Sequence, residues 1–78
     1  MENNSRIARM AFGLRLRMAR QAKGMTAEKL AFALGVNPPC VHWWEHGRNY
    51  PMTERLIEMA KLLDVSIDWL VGREDDGA

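Results

Sequence analysis

The densest run of reactive side chains is Cys40-Val41-His42-Trp43-Trp44-Glu45-His46. His42, Glu45 and His46 spell H-x-x-E-H. Two histidines four residues apart on a helix can share a metal ion, with the glutamate as a base. A hydrolase of that kind also needs a further ligand and a cleft, and a chain of 78 residues has little material left for a cleft once a core is built. Cys40 is the only cysteine, which excludes an internal disulfide and a zinc–cysteine cluster. A redox role would need a resolving cysteine, so Cys40 reads as a small, partly buried side chain. No Ser-His-Asp spacing, Gly-rich phosphate loop or paired acid cluster stands in a suggestive context. The expectation is no enzyme, no metal, no cofactor and no small-molecule ligand.

What remains is charge. Residues 1–30 hold seven Lys/Arg against two acids, a net +5, and residues 53–78 hold three against seven, a net −4. One end can meet a polyanion and the other is repelled by it, although ordinary solvated helix faces also account for the pattern. No run approaches 18 apolar residues, and the start Met1-Glu2-Asn3-Asn4-Ser5-Arg6 has no apolar core of a signal peptide. A cytoplasmic protein with no membrane association is expected.

The elements that must position these residues are all helical. Phe12, Leu16 and Ala19 recur at helical spacing before Gly24, with Ser5 capping a helix over 6–23, or with residues 1–10 as a loose arm or helix extension. Thr26 caps a second helix that buries Leu30, Ala31 and Leu34 and stops at Gly35. Asn37 caps a third, 37–46, with Pro38 and Pro39 harmless in its first turn and Gly47 after it. Thr53 caps a fourth with Leu56, Ile57, Ala60 and Leu63 on one face. Ser66 caps a short fifth, Ile67–Val71, before Gly72. One all-α domain over 11–72 is expected, with 73–78 an acidic flexible tail. With 47% hydrophobic residues a core is affordable.

Thr26 to Gly47 forms a helix–turn–helix, two short helices joined by a Gly-containing turn. Val36 plugs the elbow, Val41 and Trp44 anchor the second helix, and its other face is left for a DNA major groove. From Phe12 to Gly72 the chain resembles the phage-repressor/Cro-like helix-turn-helix proteins. F-G-L-R-L-R-M-A-R-Q-A-K-G-M-T matches the first helix, L-A-F-A-L-G-V-N and V-H-W-W-E-H-G-R-N-Y-P the recognition region, and D-V-S-I-D-W-L-V-G the closing helix. The resemblance implies a five-helix lambda-repressor-like fold, duplex DNA as partner and a homodimer. A small transcriptional repressor is the reading, as for Cro-like phage proteins, restriction–modification controllers and small antitoxins.

By position, the resemblance makes Arg20 and Glu45 a buried ion pair, and their types agree, since each needs a partner if buried. It puts Arg15, Arg17, Lys29 and Arg48 at phosphates, with Asn49 beside Arg48. Several departures stand out. Ala27 takes the place of a phosphate-holding Gln, although the helix N-terminus keeps its N–H groups. The base-reading positions fall on Pro38, Pro39, Cys40 and Trp43, none able to make a bidentate contact to a purine. Only His42 and His46 on this helix can hydrogen-bond a base edge. Phe32 and Ala33 are apolar where polar residues are usual. Either apolar contacts, the histidines and DNA shape carry specificity, or this surface has a protein partner.

The dimer implied by the resemblance joins near the fourth and fifth helices and places two recognition helices about 34 Å apart; Ile67, Trp69 and Val71, more apolar than a short terminal helix needs, support that surface. A second stripe on the first helix, Ile7, Ala11, Leu14, Met18 and Ala22, competes. Leu14 and Met18 stand where charge is the family habit. Either the N-terminal extension or the tail covers this stripe, or it is a protein–protein interface.

Overall fold

Two hydroxyl caps start helices where the sequence marks them. Thr26 Oγ1 accepts from the Lys29 N–H at 3.1 Å, and Ser66 Oγ accepts from the Trp69 N–H at 3.0 Å. Each satisfies one of the N–H groups that a first helical turn leaves unpaired. The computed structural model describes residues 2–73. Its elements are α1 (Glu2–Ala22), α2 (Ala27–Leu34), α3 (Pro38–Glu45), α4 (Thr53–Leu63) and α5 (Ile67–Leu70), with no strand among the described residues. The tail expected over 73–78 lies, apart from Arg73, outside them.

One open alternative is resolved and two local expectations are corrected. Helix α1 is continuous from Glu2, so residues 2–10 extend the helix and form no arm. Its early turns are held by the rest of the domain: Arg9 Nε donates to the Gly47 carbonyl at 3.0 Å. Thr53 does not cap α4; Met52 holds the cap position with extended backbone and makes no side-chain cap bond. Ile57 is exposed, and Met59 is buried in its stead. At about 100° per residue, a face centred on Leu56, Ala60 and Leu63 includes Met59 and leaves Ile57 at its margin.

The core draws on every helix: Phe12 and Leu16 from α1, Leu30 and Leu34 from α2, Val41 and Trp44 from α3, Met59 and Leu63 from α4, Leu70 from α5. Helix α1 packs on α3 and α5, α2 on α3 and α4, and α4 on α5. The α2–α3 turn is made at Gly35, whose φ of 72° lies in the left-handed region that glycine enters without a Cβ penalty. The Val36 N–H then donates to the Ala31 carbonyl at 3.0 Å, and half-buried Val36 packs against the core.

Candidate nucleic-acid interface

Three contacts from α1 seat α3. The first is ionic. Arg20 Nε donates to Glu45 Oε2 at 2.6 Å and its Nη2 to Oε1 at 3.1 Å, while Nη1 donates to the Met25 carbonyl at 2.8 Å. The two side chains are 12% and 6% exposed, so the fork geometry of the guanidinium satisfies a carboxylate that has little water. The hydrogen bond to Glu45 raises the Arg20 pKa further above its ordinary value, against the opposing effect of burial. The second contact is steric. A Cβ built on Gly13 would sit 2.6 Å from the Trp44 carbonyl oxygen and against that of Glu45. The backbones of α1 and α3 therefore approach as closely as a missing side chain allows. The third is the Arg9–Gly47 hydrogen bond, beside which Met10 packs against the Gly47 backbone.

With Val41 and Trp44 buried, the opposite side of α3 is free. Pro38, Pro39, His42, Trp43 and His46 are exposed along it. The His42 and His46 rings lie 4.0 Å apart. His46 Nδ1 is 2.8 Å from the His42 carbonyl, and since a carbonyl only accepts, Nδ1 carries the proton there. Glu45, the third member of the H-x-x-E-H pattern, is held by Arg20 and turned inward. After α3 the Arg48 N–H donates to the Trp43 carbonyl at 2.9 Å, which anchors the loop carrying exposed Arg48 and Asn49. Tyr50 in that loop meets Phe12 edge-on, with ring centroids 5.5 Å apart.

The other expected contact residues divide. Lys29 and Arg17 are exposed. Ala27 and Cys40 are partly buried and pack against the core, so Ala27 offers its backbone N–H rather than a side chain. Arg15, expected at phosphate, is turned toward α5. Its Nη1 donates to the Trp69 carbonyl at 2.8 Å, and its guanidinium lies 5.5 Å from the centre of the Trp69 ring. That arrangement combines a charged hydrogen bond with a cation–π contact. It also alters the reading of the C-terminal surface. Trp69 and Val71 pack partly on their own core, and Ile67 is the member of that trio left exposed. Arg9 and Gly13 escaped the sequence reading, although a glycine inside a long helix is itself a signal, because it costs about 1 kcal/mol there.

Comparison with known proteins decides the family. A helix-turn-helix family model matches residues 16–70. The chain belongs to the helix-turn-helix family. Its fold is of the lambda repressor/Cro type. The chain is similar to the HTH-type transcriptional activator BcrR of Enterococcus faecalis, 36% identical over 85% of this chain and 32% of that protein. It is similar to the HTH-type transcriptional regulator YobD of Bacillus subtilis, 36% identical over 80% of this chain and 55% of the relative. The chain thus spans about a third to about half of these curated relatives. Among solved structures, the restriction-modification controller protein C.AhdI of Aeromonas hydrophila superposes with a TM-score of 0.71 at 34% identity, over 78% of this chain and 92% of that one. The clp gene regulator ClgR of Corynebacterium glutamicum gives 0.75 at 33% identity, over 82% and 68%. This helix-turn-helix chain has no described helix long and apolar enough to cross a membrane.

Proposed function

We propose that this helix-turn-helix domain binds duplex DNA as a homodimer, lays α3 in the major groove and regulates transcription by occupying its site. The observation that carries the reading is α3 itself. It is seated on α1 by the Arg20–Glu45 pair, with its outer face exposed and the cations Lys29 and Arg48 near it in the chain. The phosphate contacts we assign are Arg17, Lys29, Arg48 and the α2 N–H groups beginning at Ala27. His42 and His46 are the side chains for base edges. Pro38, Pro39 and Trp43 supply apolar contact, as to a thymine methyl. Repression is the simplest output, because a domain lying in the groove excludes other proteins without any further contact.

The homodimer we propose joins at α5 around exposed Ile67, and this surface keeps the recognition helices about one DNA turn, 34 Å, apart. Ile67→Glu is the cleaner test of it than any change at Trp69, which also receives Arg15. Monomers by sedimentation support the surface, and an unchanged dimer removes it.

The DNA reading is tested by Arg48→Ala. A phosphate contact predicts weaker binding to every duplex sequence alike, whereas His42→Ala changes the preferred sequence. Phe32 supports a second reading, in which the outer side of α2 and α3 takes a protein partner. At 88% exposed it is an apolar side chain left almost entirely in water. A variant series with no effect on binding to any duplex favours that alternative.

A further inference from the structure

We propose that the outward face of α1 is a docking site for an acidic amphipathic helix of a protein partner, centred on side chains outside the DNA-binding surface and sharing only Arg17 with it. Ile7, Met10, Leu14 and Met18 are 62%, 52%, 58% and 51% exposed. At about 100° per residue Leu14 lies roughly 160° from Phe12 and faces directly away from the core. Ile7 and Met18 lie at roughly 120–140° from Phe12, and Met10 keeps its exposed surface beside Gly47. From Ile7 to Met18 it runs about 16 Å, three helical turns. Scattered apolar side chains on a surface need no explanation, but a contiguous stripe of this kind marks an interaction site. Its spacing of three, four and four residues is that of a helix-recognition face.

The edges of the stripe select the occupant. On one side, about 60–80° from Leu14, lie Arg6 and Arg17; on the other, at a similar angle, lie Ala11 and Ala22. Arg6, Arg17 and Ala22 are exposed and Ala11 is partly buried. The alanine edge lets a partner helix come close, the methionines adapt to its side chains, and the arginine edge calls for carboxylates. A second copy of α1 is a poor occupant. Antiparallel pairing sets like edges against each other, lining one seam with four arginines. Parallel pairing on Ile7, Ala11, Leu14 and Met18 has only an alanine in one layer and puts Gln21 in the next. A lipid surface is disfavoured too, because a helix lying in a membrane interface carries cations on both edges and aromatic residues on its apolar face, and this stripe has neither.

The test uses the full chain and two designed helical peptides of about five turns, each with leucines along one face. One carries glutamates along an edge and the other lysines. By fluorescence anisotropy the Glu-edged peptide binds, and the Lys-edged one binds about tenfold more weakly or worse. Amide shifts in the NMR spectrum map to residues between Ile7 and Met18. Both Leu14→Glu/Met18→Glu and the uncharged Leu14→Gln/Met18→Gln abolish peptide binding with thermal unfolding at wild-type values, and the uncharged pair also leaves duplex DNA affinity unchanged. Arg6→Glu narrows or reverses the preference between the peptides. Equal binding of both peptides, no binding of either, or binding that survives the leucine and methionine changes overturns the proposal. So does Leu14→Glu/Met18→Glu converting a dimer to monomers, which makes a second copy the occupant, or anionic phosphatidylglycerol vesicles binding more tightly than the Glu-edged peptide.

Discussion

Replacing Gly13 by Ala sets two effects of opposite sign against each other, and the structure decides which prevails. In a solvated helix interior the change stabilises by about 1 kcal/mol, because alanine loses less backbone entropy. Here the added methyl would stand 2.6 Å from the Trp44 carbonyl oxygen, with the Glu45 carbonyl also in the way. Ordinary contact begins near about 3.5 Å, so α3 must retreat by the better part of an ångström. Both obstacles are backbone, and no rotamer change relieves them. Overpacking of this kind costs typically about 1–3 kcal/mol. Moving the last turn of α3 also draws Glu45 from Arg20, a charged hydrogen bond worth about 1.5–3 kcal/mol. The expected net loss is about 2–3 kcal/mol, against a total stability of order 4–12 kcal/mol for a chain of this length. Urea unfolding reads it directly. With a slope of about 1 kcal/mol per molar, the midpoint falls by about 2 M or more. Duplex DNA affinity falls with it, because α3 loses its seat. A Gly13→Ala protein as stable as wild type, or more stable, refutes the close approach of α1 and α3 and the positioning argument built on it.

Arg20→Ala strands a carboxylate that is 6% exposed, and thermal unfolding should show a loss of about 3–5 kcal/mol; the double change Arg20→Met/Glu45→Leu should lose less than Arg20→Ala alone, and equal losses would contradict a buried pair. Met52→Asp supplies the cap bond that α4 lacks and places a negative charge at the helix N-terminus. It should raise stability by about 1 kcal/mol, seen as a higher melting temperature. No gain would mean that the α4 N-terminus is already satisfied by water.

The five helices were legible because their signals are local. Thr26 and Ser66 cap, Gly35 turns, and the spacings of Phe12-Leu16-Ala19 and Leu30-Ala31-Leu34 name the buried faces. The Arg20–Glu45 pair was legible by type and through the family resemblance. Most of what was missed or left open has one cause, a partner remote in sequence. Arg15 has the look of a phosphate ligand, and nothing local announces the carbonyl and ring of Trp69, 54 residues away. Arg9 finds its acceptor at Gly47, 38 residues away, and this bond helps to fix the early turns of α1 that the sequence left open as arm or helix. Gly13 makes sense only beside the carbonyls of α3. Ile57 and Met59 differ by a margin of helical phase that packing against the rest of the core resolves. Thr53 is a good cap by type, but helical dihedrals begin at Thr53 itself, which moves the cap position to Met52.

The salt dependence of binding to duplex DNA tests the central claim most directly. With Arg17, Lys29 and Arg48 as phosphate contacts, a dimer makes about six of them, and the logarithm of affinity should fall with the logarithm of salt concentration at a slope of about −5. Arg48→Ala removes two contacts per dimer and should bring the slope to about −3.6. A flat response in the wild-type protein contradicts DNA binding by this domain, and a steep response that Arg48→Ala leaves unchanged contradicts the placement of α3 and its following loop on the duplex.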